Sequence, residues 1–510
     1  MNKRMLLLIS LAVASNTTFA DLACTNAQDP SIICQAADVI SAHQKDVTNA
    51  ILQAPVGAGE PATLPNDIAI LFNNTYSMPI LTTTTFTGTP NQPSTYSSYL
   101  ITGGWDCLGP PNNAYPLNPP DTMQGMWIRD AAAQLHSYLG IYKDTQHTYP
   151  GGEINALNDI MIGFINTAAT DLSKNPTAHG FNADGSVDSA GTDYEMDTLA
   201  FFIWFSYDYW KASGQTVQFN ANYLTALEKI FATIKNYQYI NINGQPLTYT
   251  GMSYSQNRAS DDPTELAFNI PDNMFITVAL QDAQQILSSQ AYATTPDIEQ
   301  WISDCQSLQT QIQNGINKYG VVDKPPFGKV YAYEVDGAGN NVIMDDANLP
   351  SLLSAPYLGF SGDPTIMANT RAMILSANNP YYFVTQQGGP PSPMTYQGIG
   401  SPHTASVINA IWPLALVAQG ITEQNNADQT YLLQSLYSSA QFSVGNSACI
   451  SDTPQLRQEY PAAGYLHESF SSVDPMYSSS RGWFAWPNAF FAEWVDDMAA
   501  NNHFPWSTAS

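Results

Sequence analysis

Eleven helix-periodic segments with no fixed repeat length constrain the fold of this 510-residue chain more than any other feature. They are Trp127–Tyr142, Glu153–Leu172, Tyr194–Lys211, Asn222–Tyr237, Asn273–Gln290, Pro296–Tyr319, Leu349–Leu358, Pro364–Leu375, Thr404–Gly420, Asn426–Ser443 and Trp483–Asn501. Apolar residues recur within them at helical spacing, and Pro/Gly/Asn-rich loops separate them. A superhelical solenoid would carry a constant period, and none is present. No linker, charge block or low-complexity tract divides the chain. The expectation is therefore an all-α fold, a closed toroid of helical hairpins whose irregular loops build a pocket at one end. The barrel is expected over residues 100–500, behind an N-terminal extension, residues 21–99, of loops and short strands. Within it Ala54–Tyr99 is rich in Pro, Thr, Ser, Gly and Asn, and Thr82–Thr87 favours β structure.

Residues 1–20 read as a signal peptide and not as part of the fold. Lys3 and Arg4 precede the apolar run Met5–Ala14, too short to span a bilayer, and Thr18-Phe19-Ala20 supplies a small residue at the cut. A lipoprotein signal would need that run to abut Cys24, but Asp21 and the polar Asn16-Thr17-Thr18 intervene. The expected product is secreted or periplasmic. Removing Lys3 and Arg4 moves the formal charge from −27 to −29, which repels phosphate backbones and anionic lipids. Nucleic-acid and membrane partners are therefore not expected. With 12% aromatic residues, neutral partners such as sugars suit the surface better. Five cysteines in an oxidising compartment leave at least one unpaired; Cys24 and Cys34 are close enough to close a small loop, whereas Cys107, Cys305 and Cys449 cannot be assigned.

Four clusters have the residue types for chemistry, and each also has a plainer reading. Met126-Trp127-Ile128-Arg129-Asp130 puts an aromatic face beside a charged pair suited to gripping a sugar ring, although Asp130 is equally readable as a helix cap. Arg258-Ala259-Ser260-Asp261-Asp262-Pro263 holds adjacent carboxyls; these disfavour joint ionisation, so one can keep a proton to donate, but a solvated capped loop looks the same. Asp345-Asp346-Ala347-Asn348 opens a predicted helix and lacks the alternating ligands of a calcium loop. Gly398–Thr404 has no dinucleotide fingerprint, and His467-Glu468-Ser469-Phe470 lacks the second histidine of a zinc site. No metal or cofactor is expected. A set of carboxylates, histidines and aromatics without a metal or nucleotide motif is what glycoside hydrolysis needs: one carboxylic acid protonates the leaving oxygen while another carboxylate activates water or attacks carbon.

Taken together, the clusters resemble glycoside hydrolase family 125, the metal-independent exo-acting α-1,6-mannosidases. The resemblance rests on Met126–Asp130, Tyr194-Glu195-Met196-Asp197-Thr198-Leu199, Arg258–Asp262 with Ile270–Phe275, Asp345–Leu353, Gly398–Thr404 with Ile411-Trp412-Pro413, and His467–Phe470 with Trp483–Trp486. These strings stand in the family's order across roughly residues 100–495. The resemblance implies an (α/α)6 barrel and an inverting mechanism. It places the acid at Asp261 or Asp262 and the base at Glu468. It also implies mannose-binding roles for Trp127, Arg129, Asp130, Glu195, Asp197, Arg258, Asp346, Asn348, His403, His467 and Trp486. The implied partner is a mannose-containing glycan or mannan, met by a monomer. Two departures are visible: Ala259 stands where the family has proline, and a Pro/Asn-rich insertion, residues 105–121, precedes Met126.

Overall fold

The computed structural model describes residues 30–76, 83–100, 102, 125–144, 151–239, 241–242, 245–246, 248–385, 394–405, 409–440, 464–472, 479–480 and 484–507. The signal segment, Cys24, Cys107, the 105–121 insertion, Cys449 and Trp483 lie outside these. Among the described residues twelve helices exceed eight residues: α1 (Pro30–Gln53), α2 (Leu64–Thr75), α3 (Ile128–His136), α4 (Gly151–Lys174), α5 (Met196–Ser213), α6 (Ala221–Asn236), α7 (Ile270–Leu287), α8 (Ile298–Gly315), α9 (Pro364–Ile374), α10 (Pro413–Ile421), α11 (Asn426–Ser439) and α12 (Ala485–Ala500).

They form the expected all-α (α/α)6 barrel. The inner helices pack in the order α10–α12–α3–α5–α7. They are buried nearly all round: α5 hides every residue from Met196 to Ser206. Outer helices bury one stripe, as α6 does with Tyr223, Ala226, Leu227, Ile230 and Ile234 at helical spacing. Among the described residues no helix is long and apolar enough to cross a membrane.

Three expectations are corrected. Leu349–Leu358 is not a helix. Pro356 lacks the amide that would bond the Leu352 carbonyl, and the Asp345 carboxylate takes the Leu352 and Leu353 amides at 2.8 and 3.0 Å, so isolated turns fill this place between α7 and α10. Thr404–Gly420 is interrupted, because Ala410–Ile411 pairs as a strand with Phe470–Ser471 and α10 starts only at Pro413. Residues 30–75 are not loops and strands but the α1–α2 hairpin. Helix α1 packs on α4, and α1 and α2 both touch α12. Ile33, Ala36, Ala37, Ile40, Val47 and Ile51 trace its buried stripe, broken by His43 and Gln44. That His43 is paired: its ring lies 2.9 Å from Asp496 on α12 and 3.3 Å from Asp144. Burial would lower its pKa, but the two carboxylates hold it raised. A strand, Thr83–Thr87, pairs antiparallel with Ser97–Leu100 beside this hairpin.

Candidate active site

Short strand pairs lead into the inner helices and deliver their N-termini to one end of the ring. Met126–Trp127 pairs with Gly180–Phe181, Phe268–Asn269 with Glu334–Val335, and Ala410–Ile411 with Phe470–Ser471. The residues capping α3, α10 and α12 are Trp127, Trp412 and Phe484. None caps with its side chain, and all three instead wall a small cavity. Capping ability has been given up at these positions for aromatic surface. Arg129, Asp130, Asp261, Asn348, His403 and Glu468 supply the cavity's charged and polar lining.

Arg129 is the hub of the floor. Its Nη1 donates to Glu195 Oε2 at 2.9 Å and Asp197 Oδ2 at 3.0 Å, its Nη2 to Asp261 Oδ1 at 2.8 Å, and Asp130 lies 3.5 Å from its Nε. Trp486 lies beneath the guanidinium, 5.9 Å from its carbon. Burial would lower the arginine's pKa, but Asp197, Glu195, Asp261 and Asp130 raise it, so the cation is permanent. Burial, then Asp261, pushes the Glu195 carboxyl well up. Burial and Arg129 together push His179 down. His179, Glu195 and Asp261 approach within 4.8 Å of one another, a spacing open to a metal ion, but the guanidinium already supplies the cation its two carboxylates share.

The turn carrying the acidic pair is tied to the 334–348 segment at successive residues. Arg258 donates from Nε to Glu334 at 2.6 Å, the Ala259 carbonyl accepts from Asn348 at 2.7 Å, and Ser260 donates to Asp346 at 2.7 Å. Asp261 then adopts φ +65°, a conformation aspartate tolerates better than most residues, and its half-exposed carboxyl faces the cavity. Asp262 points aside; its Oδ1 lies 3.4 Å from His403 Nδ1 and its Oδ2 has no hydrogen-bond partner among the described residues. The Asp262 contact raises the His403 pKa despite burial, and Glu468 and Asp261 add to the effect. Glu468 is buried and lines the cavity at the head of the strand Ser469–Ser471. Just before it, the Asn488 side chain accepts from the Leu466 amide at 2.9 Å and donates to the Leu466 carbonyl at 2.8 Å.

The fold thus gathers Trp127, Arg129, Asp130, Asp261, Asn348, His403 and Glu468 onto the lining. Glu195, Asp197 and Trp486 stand behind it around Arg129, and Asp346 behind Ser260. His467 is buried beside Glu468 but off the lining. Arg258, expected to bind substrate, turns away to Glu334 and Glu265 and holds the loop in place. The Asp345 carboxyl is pushed up to about 8 by burial and serves the turns after it. Thr102, Ser260, Trp412 and Phe484 line the cavity without having been expected there. Trp412 and Phe484 had a signal: a bulky residue directly before an inner helix, as at Trp127. Thr102 had none.

A cavity walled by aromatic rings, with separate carboxyls at its edge and set on the N-terminal end of an (α/α)6 barrel, defines a helical-barrel glycoside hydrolase. The chain matches the model of the metal-independent α-mannosidases, GH125, over residues 65–243 and 238–496, and belongs to that family. The Meiotically up-regulated gene 157 protein of Schizosaccharomyces pombe is 31% identical over 424 residues, 73% of this chain and 74% of its own length. A solved structure from Streptococcus pneumoniae, a metal-independent α-mannosidase in a non-productive complex with α-1,6-mannobiose, is 28% identical. It covers 91% of this chain and 98% of its own, with a TM-score of 0.69. A second solved glycosidase, wild type, is 13% identical over 87% of this chain and 100% of its own at a TM-score of 0.50, which speaks to the fold alone.

Proposed function

We propose that this α-mannosidase is an exported, exo-acting, inverting enzyme that removes non-reducing α-1,6-linked mannose from glycans or mannans. The observation that carries the reading is that Asp261 and Glu468, 207 residues apart in sequence, face one small cavity with a buried floor. A floor built of Arg129 over Trp486 suits a chain end better than a passing chain. In the proposed reaction the acidic pair protonates the leaving oxygen, with Asp261 the better placed of the two, while Glu468 draws a proton from water on the opposite face of the sugar. Inversion needs the two carboxyls about 6.5–9.5 Å apart, leaving space for that water. Asp130, Asn348 and His403 are then hydroxyl partners, and the Asn348 Oδ1, without a partner among the described residues, is available to one. The mannobiose held by the streptococcal relative supports the choice of sugar.

Export is supported by the residues before Asp21 and by a disulfide at Cys34, a bond that persists in oxidising compartments. NMR of the anomeric proton during digestion of α-1,6-mannobiose tests the reaction: β-mannose released first is expected, and α-mannose first would sink inversion. Preferential hydrolysis of an α-glucoside would instead make it an inverting α-glucosidase on the same barrel. Turnover is expected to be unchanged in EDTA.

A further inference from the structure

Position N4, four residues past the cap, is apolar in three of the five inner helices: Ala131 in α3, Leu199 in α5 and Leu416 in α10. In α7 and α12 it is asparagine, Asn273 and Asn488, both fully buried. Asparagine is a poor helix former, and burying its amide without partners costs about 2–7 kcal/mol. Both side chains use the same three bonds. Asn273 Oδ1 accepts from the Ser253 amide at 2.9 Å, and its Nδ2 donates to the Ser253 carbonyl at 2.9 Å and to the carbonyl of its own cap, Asn269, at 2.7 Å. Asn488 repeats this on Leu466, at 2.9 and 2.8 Å, and on its cap Phe484 at 2.6 Å. The two clamped residues lead to opposite halves of the chemistry. Ser253 begins the segment that reaches Asp261 and Asp262, and Leu466 lies two residues before Glu468.

We propose that Asn273 and Asn488 are matched positioning residues, one clamping the acid-bearing segment and the other the base-bearing segment to the N-termini of α7 and α12. The inference rests on the acid and base roles proposed above. A plain packing role would be met by leucine, as at Leu199 and Leu416. The amide instead supplies an acceptor to the N–H and a donor to the C=O of one residue, gripping the two peptide units on either side of its Cα and fixing the local backbone orientation as well as its distance. The two clamps are unequal. The acid-bearing turn has further anchors at Glu334, Asp346 and Asn348, and it lies eight residues from its clamp, so displacement there is shared.

The test is steady-state kinetics of full-length Asn273→Leu and Asn488→Leu on two substrates, α-1,6-mannobiose and α-mannosyl fluoride. Fluoride leaves without needing a proton. Asn488→Leu is expected to lower kcat on both substrates by roughly a hundredfold with KM little changed, the effect of an ångström-scale misplacement. Asn273→Leu is expected to lower kcat on mannobiose by roughly tenfold and to leave the fluoride nearly untouched. Leu199→Ala, which destabilises without touching either clamp, should keep kcat on both. If a leucine variant does not fold, Asn488→Asp and Asn273→Asp, which keep the acceptor and lose the donor, take its place. Asparagine variants that behave as Leu199→Ala does, or that affect both substrates alike at both positions, overturn the inference. Glu468→Gln run in parallel separates the causes: normal turnover there removes the reading beneath the clamps, whereas a dead Glu468→Gln beside active asparagine variants removes the clamps alone.

Discussion

Helix α3 carries two buried cations seven residues apart, about 10 Å along its axis, and they are solvated by the protein in opposite ways. At the C-terminal end His136 sits between Glu493 at 3.0 Å and Asp208 at 3.1 Å and stacks on Trp204 with ring centroids 4.0 Å apart. Tyr357 donates to the other Glu493 oxygen at 2.9 Å. Both ring nitrogens face carboxylates, so the ring must be doubly protonated to donate to both. Burial alone would lower its pKa, but Glu493 and Asp208 push it up to about 9. At the N-terminal end Arg129 faces Glu195, Asp197, Asp261 and Asp130 together. One cation there faces four carboxylates, and burial with Asp261 pushes the Glu195 carboxyl up, toward its protonated form. The far end sets one imidazolium against only two carboxylates, with the ring largely covered and Asp208 partly exposed. The mouth is left with an excess of acid, and one of its members, Asp261, opens to the cavity.

The sharpest way to break this division is at the mouth. Glu468→Gln is expected to lower turnover of α-1,6-mannobiose by about 10²–10⁴-fold while product still binds, read by kinetics and calorimetry. Near-normal turnover would remove the base from its place. Arg129→Met should follow, stranding buried carboxylates at a cost of about 3–5 kcal/mol and abolishing activity, whereas His136→Gln should destabilise without lowering kcat. A His136 variant that loses kcat at permissive temperature would show that the two ends do not divide the work.

Next in size is a pH effect. The folded pKa of His136, about 9, lies above its ordinary 6.5. Its contribution is therefore fully present below pH 6.5 and lost as pH rises through about 9, amounting to at most about 3 kcal/mol. Melting temperature should fall across that window in the native chain and much less in His136→Gln. The smallest effect expected is Tyr357→Phe, which removes one hydrogen bond to Glu493 and should cost about 1 kcal/mol with turnover unchanged.

The ring of hairpins was legible from periodicity because inner and outer helices both bury apolar residues at helical spacing. Where polar residues enter a buried stripe, as His43 and Gln44 do in α1, the pattern breaks and a barrel hairpin passes for loop. The loops around the cavity were legible as strings of carboxyl, arginine and aromatic residues. Their division of labour was not. Arg129 and Arg258 sit in similar acidic strings, yet one lies under the cavity and the other faces away from it, and only the partners of each guanidinium decide that. Asn488 and Thr102 carry no local sequence signal at all. Their roles arise from which distant backbone the fold brings to them.

The seam between the first hairpin and the last helix also governs how the chain is assembled. His43 meets Asp496 across 453 residues, and α1 and α2 both rest on α12. The ring therefore cannot close until the whole chain is present, and loop closure over such separations slows folding. A polypeptide of this design emerges from synthesis with the apolar faces of its opening hairpin uncovered until the last helix arrives.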